Sequence, residues 1–294
     1  MMGAMKPTAS STDGSGVATA RALRIGCVSF LNAVPLIDGL GEAEGDGNLH
    51  LRFAVPSELL AGLEAGADDI ALCPVIDYFT SGAELEIVPV GAIGCGRSTM
   101  TVKLVSRVPI EGIDRVHADT DSHTSVVLLQ VVLAERFGLR PRIVSQRMGR
   151  GDRLPDHPEA MLVIGDKVVR VDESRFPHQL DLGEAWNDLT GLPFVFAIWM
   201  ARRGAELGGL PGRLEARRRA NLADLEAIVR RQAPGHRWPV DLARHYLGSL
   251  LTYEVGPAQI EAIGQFARKA HALRLIDDLR PLKLYRGSGV EGRG

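Results

Sequence analysis

Residues Arg24–Leu40 read RIGCVSFLNAVPLIDGL, and the fold is decided by how this stretch is read. Ile25 to Phe30 is apolar and rich in β-favouring residues, the composition of a buried strand. Asn32 follows, and three residues later comes Pro35. The fixed φ and missing N–H of Pro35 suit the first turn of a helix. Leu36, Ile37 and Leu40 continue an apolar helix face, which Gly39 and Gly41 stop. The stretch is therefore a strand, a tight turn and a helix start. Asn32 falls at the strand's carboxyl end, where open α/β sheets bind ligands. Asn suits a cap or turn there; it equally offers a side-chain amide to a substrate.

The same alternation recurs downstream. Leu51–Val55 reads as a strand, and Pro56-Ser57 opens a helix with Ser57 as its cap and Leu59, Leu60 and Leu63 on its buried face. Asp69–Val75, DIALCPV, is a second buried strand with Asp77 and Tyr78 at its carboxyl end. Leu85–Val90 is another, after which Gly91, Gly94 and Gly96 break the chain. Strands separated by short helices, without hairpin signals, predict βαβ units and a parallel sheet.

Thr99–Ser106, TMTVKLVS, alternates and is rich in β-branched residues, so it reads as a strand crossing into a second domain. Asp114–Ala118 is the next strand. In Asp119–Ala134, DTDSHTSVVLLQVVLA, Ser122, Thr124 and Ser125 cluster at a helix N-terminus. Free N–H groups and the positive dipole end suit a carboxylate or phosphate there; simple capping needs one hydroxyl of the three. Met161–Gly165 is a buried strand followed by Asp166. Phe194–Met200, FVFAIWM, is the natural return crossing. From Leu214 to Leu279 the pattern is helical, with apolar stripes such as Leu242, Tyr246, Leu250 and Leu251. The Arg217-Arg218-Arg219 and Arg230-Arg231 runs read as solvated faces.

Two lobes joined by crossings near Thr99 and near Ala197 make an α/β clamshell. Residues 23–98 and 201–286 form the first lobe and 99–200 the second, with 1–22 as a disordered tail. Ligands in such folds lie between the lobes, and closure orders the site. Asn32, the Asp77/Tyr78 corner, the Gly91–Ser98 loop and the Ser122–Ser125 helix start are expected to face that cleft.

Composition narrows the function. The chain has 294 residues, 45% hydrophobic and 24% charged, with a net charge of −2. No broad basic surface argues for nucleic acid or an anionic membrane, so an anionic ligand has to be held by a few local donors. Cys27, Cys73 and Cys95 fit no metal-ligand spacing and read as packing thiols. Their odd number, without a secretory signal, suggests a reducing cytoplasm. No run of 18 apolar residues predicts a membrane span.

Together these stretches resemble the chorismate dehydratase family (MqnA) of the futalosine route to menaquinone. The carrying residues are VSFLNAVPL at Val28–Leu36, LCPVIDY at Leu72–Tyr78 and DTDSHTS at Asp119–Ser125, then LVIGD at Leu162–Asp166 and DLGEAWNDLTGLPFVFAIW at Asp181–Trp199. The resemblance implies a fold like type II periplasmic binding proteins, with two crossover strands. It implies loss of water from chorismate to give 3-[(1-carboxyvinyl)oxy]benzoate, with no metal or organic cofactor. Asn32 is the expected catalytic residue, and Ser29, Ser98, Thr101, Ser122, Thr124 and Ser125 are the expected substrate-binding residues. The chain departs from the family at His123, where the family carries Arg, and at Thr101-Val102, where the family has Ser-Val; Ser98 is the other hydroxyl available to that role. No dyad is evident in the best motifs. The resemblance favours a substrate-assisted route in which the enolpyruvyl carboxylate removes the ring proton, with His123, Asp77 and Asp166 as the alternative protein bases. Two rivals remain open. One is a sister enzyme making 1,4-dihydroxy-6-naphthoate, whose opening motif is Ser-Pro-Cys-Pro-Asn rather than Val-Ser-Phe-Leu-Asn. The other is a non-catalytic solute-binding protein.

Overall fold

The computed structural model describes residues 21–41, 48–119, 123–146 and 158–287. The chain lays down β1 (Leu23–Cys27), β2 (Leu49–Phe53), β3 (Ile70–Pro74) and β4 (Leu85–Cys95). It then forms β5 (Val102–Ser106), β6 (Arg115–Asp119), β7 (Arg142–Gln146), β8 (Ala160–Ile164) and β9 (His178–Asp181), before returning for β10 (Phe194–Arg202) and β11 (Leu251–Thr252). These strands make a six-stranded sheet in the order β11-β4-β10-β3-β1-β2 and a five-stranded sheet in the order β7-β6-β8-β5-β9. Strand β3 is buried at every position because elements cover both of its faces, which is why its sequence, IALCP, does not alternate.

Neither sheet is purely parallel, contrary to the sequence expectation. β1 pairs in parallel with β2 and β3, but β10 runs antiparallel between β3 and β4. In the second sheet β6 is parallel to β7 and β8, and β5 runs antiparallel between β8 and β9. β5 and β10 are the strands that enter from a crossing, while the two-residue β11 is a further antiparallel strand at the edge of the first sheet. The parallel strands end at the cleft between the lobes, and an entering strand has to start there.

Other expectations are also corrected. Gly91 and Gly94 do not break the chain: β4 continues through both to Cys95. A Cβ on Gly94 would lie 2.6 Å from the Phe194 carbonyl oxygen, so this glycine permits a close approach of β10 at a register shift. Ser57 does not cap its helix; Pro56–Glu64 starts from Val55 without a side-chain cap. Arg218 is not solvated but buried, bonding the Val90 carbonyl and Glu215. The C-terminal part is not continuously helical. Helices Leu210–Ala223, Leu225–Gln232, Val240–His245 and Pro257–Ala272 are interrupted by a π turn at Tyr246–Leu250 and by β11.

All of β10 belongs to the first sheet, so the expected boundary at 200 falls inside a strand. The return crossing lies instead between Asp181 and Phe194, through the helix Leu182–Thr190. There Trp186, Phe194 and Phe266 meet edge to face, with centroids 5.0–6.0 Å apart, and the apolar core runs unbroken from one lobe to the other. Residues 1–20 of the expected tail lie outside the described residues.

Candidate active site between the lobes

The turn after β1 is a single 3-10 turn, Leu31–Ala33, followed by the helix Val34–Ile37 with Pro35 in its first turn. Leu31 and Ala33 are buried, which leaves Asn32 facing the cleft. Its side chain lines two adjoining cavities of about 90 Å³ each, which also share Phe30, Ile93, Ser125, Ile164 and Phe196. The Asn32 Oδ1 atom is buried and makes no hydrogen bond. Leaving such an acceptor unmet costs about 1–3 kcal/mol, and a donor reaching this wall of the cavity would meet it. Asn32 does not cap a helix.

The opposite wall comes from the helix His123–Phe137. His123, Thr124 and Ser125 line the first cavity, and Ser125 reaches the second. Thr124 is already engaged, because its Oγ1 accepts from the Ile76 backbone N–H at 3.3 Å, across the two lobes. Ser122 lies outside the described residues.

The second cavity is closed by Thr99, Thr101 and Tyr246. Thr101 Oγ1 and the Tyr246 hydroxyl are 2.8 Å apart, again joining the lobes. Burial pushes the Tyr246 phenol well above its usual pKa, and the side chains of Thr101 and Asn32, both hydrogen-bonded to it, partly counter that rise. Tyr246 therefore stands between the two expected polar residues as a neutral hydroxyl. In the sequence it is one member of an apolar stripe, and only a polar atom on that stripe could have drawn attention to it.

Three expected residues are placed elsewhere. Ser98 lines neither cavity; it donates to Asp181 Oδ2 at 2.9 Å. Ser29 is exposed and borders a separate, open surface cavity of about 470 Å³. Asp166, at the end of β8, accepts from Trp238 Nε1 at 3.0 Å and approaches His236 Nδ1 at 3.4 Å, so it serves as a tie between the lobes. Asp77 is buried at the end of β3, and its Oδ1 lies 2.8 Å from His123 Nδ1. Burial raises the Asp77 pKa, and the hydrogen bond from His123 works against it.

The walls are otherwise apolar, formed by Val28, Leu72, Pro74 and Ala197 beside the shared residues. Apolar walls with a few convergent polar groups are the usual make-up of a small-molecule site. Cys27 and Cys95 are buried thiols pushed up to about 12 by desolvation, and Cys73 is likewise buried. Among the described residues no group of three His, Cys, Asp or Glu side chains could hold a metal ion, and no helix is long and apolar enough to cross a membrane.

Two α/β lobes, two crossings and a cleft at the strand ends define the class: a two-lobed fold of the periplasmic-binding-protein type. Solved structures agree. The periplasmic aliphatic sulphonate binding protein SsuA of Escherichia coli has a TM-score of 0.62 at 18% identity, covering 93% of this chain and 95% of that chain. Protein AF1704 of Archaeoglobus fulgidus has a TM-score of 0.65 at 12% identity, covering 86% and 98%. Within that class the chain belongs to the menaquinone biosynthesis family, whose model matches residues 23–272. A chorismate dehydratase of Thermus thermophilus is 30% identical over 242 residues, covering 76% of this chain and 86% of the relative.

Proposed function

We propose that this protein removes water from chorismate to give 3-[(1-carboxyvinyl)oxy]benzoate, a carbon–oxygen lyase step toward menaquinone. The observation that carries this reading is the unmet, buried Oδ1 of Asn32 at the wall shared by two interlobe cavities. It faces a helix start that bears Thr124 and Ser125. The family and the Thermus relative supply the substrate class.

Chorismate brings two carboxylates, a ring hydroxyl and an enolpyruvyl ether. The departing proton sits on the ether-bearing carbon and the departing hydroxide on its neighbour, and aromatisation drives their loss. The protein then has to supply orientation, exclusion of water and stabilisation of developing charge. Asn32 holds the ring in the reactive pose. Ser125, near the positive dipole end of its helix, receives one carboxylate. Thr101 and Tyr246 meet polar groups on the other side. The enolpyruvyl carboxylate of the bent substrate takes the ring proton, so no side chain has to act as the base.

The test is incubation of the purified protein with chorismate, followed by mass analysis of the product. A product lighter by one water supports the reading, and unchanged chorismate overturns it.

A further inference from the structure

A side-chain amide offers two different ends: its oxygen only accepts hydrogen bonds and its nitrogen only donates them. In Asn32 the two ends have different surroundings. Oδ1 is buried at the wall shared by the two cavities and meets no group of the protein. The same side chain is hydrogen-bonded to the Tyr246 hydroxyl. With Oδ1 unengaged, that bond is made by Nδ2, and the phenol oxygen accepts it. Tyr246 is a fixed point for this hold. It is 1% exposed, lies flat against Trp238, and is joined to Thr101 Oγ1 of the other lobe at 2.8 Å. Whichever hydroxyl of that pair donates to the other, the pair keeps one O–H to give and Asn32 keeps an oxygen to receive. That oxygen needs a donor. Near neutral pH both carboxylates of chorismate are ionised, so they and the ether present acceptors only. The single donor of the molecule is its ring hydroxyl, the group that leaves.

We propose that Tyr246 holds the Asn32 amide by its N–H and so turns the carbonyl oxygen to the ligand, and that this oxygen receives the ring hydroxyl of the substrate. This rests on the chorismate reading and deepens it. Asn32 touches the substrate; in its hold on the amide, Tyr246 is a positioning residue that acts through Asn32. The arrangement tells substrate from product, because the product has lost the hydroxyl and carries no donor. It also sets the hydroxyl-bearing carbon at the junction of the two cavities, where Asn32 stands. An amide oxygen repels a carboxylate, so the two carboxylates are directed away from Asn32, toward Ser125 and the Thr101–Tyr246 pair. No covalent bond is made or broken by the hold itself.

The test compares substrate with product. In Asn32→Ala, kcat/KM for chorismate falls about tenfold to a hundredfold, while the Kd of 3-[(1-carboxyvinyl)oxy]benzoate, read by calorimetry, changes by less than about threefold. An equal loss for the product overturns the proposal, because the amide would then meet a group that both molecules share, a carboxylate. In Tyr246→Phe the released amide lowers kcat/KM by about threefold to tenfold, again with little effect on product affinity. Added to Asn32→Ala, the same change costs little more, since the two residues act through one group. A merely structural role for Tyr246 gives additive losses, and these overturn the positioning. Should Tyr246→Phe fold poorly, Thr101→Val/Tyr246→Phe, which strands no hydroxyl, carries the same comparison. Should the wild type leave chorismate intact, the proposed reaction fails, and calorimetry with chorismate and product as plain ligands still decides the assignment. Weakened binding of chorismate alone in Asn32→Ala supports it, equal losses overturn it, and absence of binding overturns both.

Discussion

The indole of Trp238 lies flat on the ring of Tyr246, with centroids 4.9 Å apart and planes 7° apart. Both residues belong to the C-terminal part of the chain, beside the first sheet. The same indole donates to Asp166 in the second lobe at 3.0 Å. One side chain thus backs the phenol that meets Thr101 and also ties the lobes. The contact between the lobes and the backing of Tyr246 thus share one side chain. Trp238→Phe keeps a ring to stack but removes the N–H, so the closed state loses a hydrogen bond to a charged group, worth roughly 1.5–3 kcal/mol. The expected result is a KM for chorismate raised by up to about tenfold with kcat less affected, read by steady-state kinetics. An unchanged KM would separate the tie from closure.

Asn32→Ala removes an amide whose oxygen has no partner in the folded protein. The variant does lose the side-chain hydrogen bond to the buried Tyr246 hydroxyl, so a modest stability loss of about 0.5–1.5 kcal/mol is expected, checked by thermal denaturation. Losing a buried hydrogen bond to the substrate costs about 1–3 kcal/mol, so kcat/KM is expected to fall about tenfold to a hundredfold. Asn32→Asp is nearly isosteric but sets a carboxylate against a dianion, and it is expected to be worse than alanine. Near-normal turnover of Asn32→Ala would remove Asn32 from the reaction.

The buried strands were legible because continuous apolar runs such as IALCP and AMLVI have no other use than burial on both faces. Asn32 was legible because strand, turn and proline leave a single polar residue at the strand end. Strand direction was not: nothing in the composition of β5 or β10 records which way it runs. Nor were the partners of isolated polar atoms. The hydroxyl of Tyr246 meets Thr101 across 145 residues, and Ser98 meets Asp181 across 83. Contacts of that range leave no local pattern. The Asp77–His123 pair was not legible either, because the two residues sit at the starts of helices in different lobes, 46 residues apart.

Tyr246 gives a prediction in pH. Its folded pKa is raised by burial, so the phenol is neutral throughout the working range, and no limb of the activity profile below about pH 10 comes from it. For stability the sign follows from the same shift. The phenol's contribution is fully present below the unfolded value of about 10 and is lost as pH rises toward the folded one. Tyr246→Phe is therefore expected to be less sensitive to alkaline unfolding; buried Tyr253 shifts in the same direction, so some sensitivity remains. At neutral pH the variant leaves the buried Thr101 hydroxyl without its partner and costs about 1–3 kcal/mol in urea denaturation. Thr101→Val in the same chain should recover part of that loss, since the two changes share one bond.

The last prediction concerns the crossings themselves. Asp181 accepts from Gly183 N at 3.0 Å and Glu184 N at 3.1 Å, which caps the helix of the return crossing. It also accepts from Ser98 Oγ at 2.9 Å, Thr99 N at 2.9 Å and Met100 N at 2.7 Å, in the outgoing crossing. Met100 has φ of 62°, a left-handed backbone that a residue with a Cβ holds only when its surroundings require it. One carboxylate therefore fastens both crossings and the strained residue between them. Asp181→Ala loses a helix cap, worth about 0.5–2 kcal/mol, and strands N–H groups of the outgoing segment at about 1–3 kcal/mol each. A loss of about 3 kcal/mol or more is expected from urea denaturation. Ser98→Ala removes only one of the donors and should cost about 1 kcal/mol, with kcat and KM for chorismate unchanged. A large rise in KM in Ser98→Ala would instead return that hydroxyl to the substrate, because a role confined to holding Asp181 has no route to a change in binding of that size.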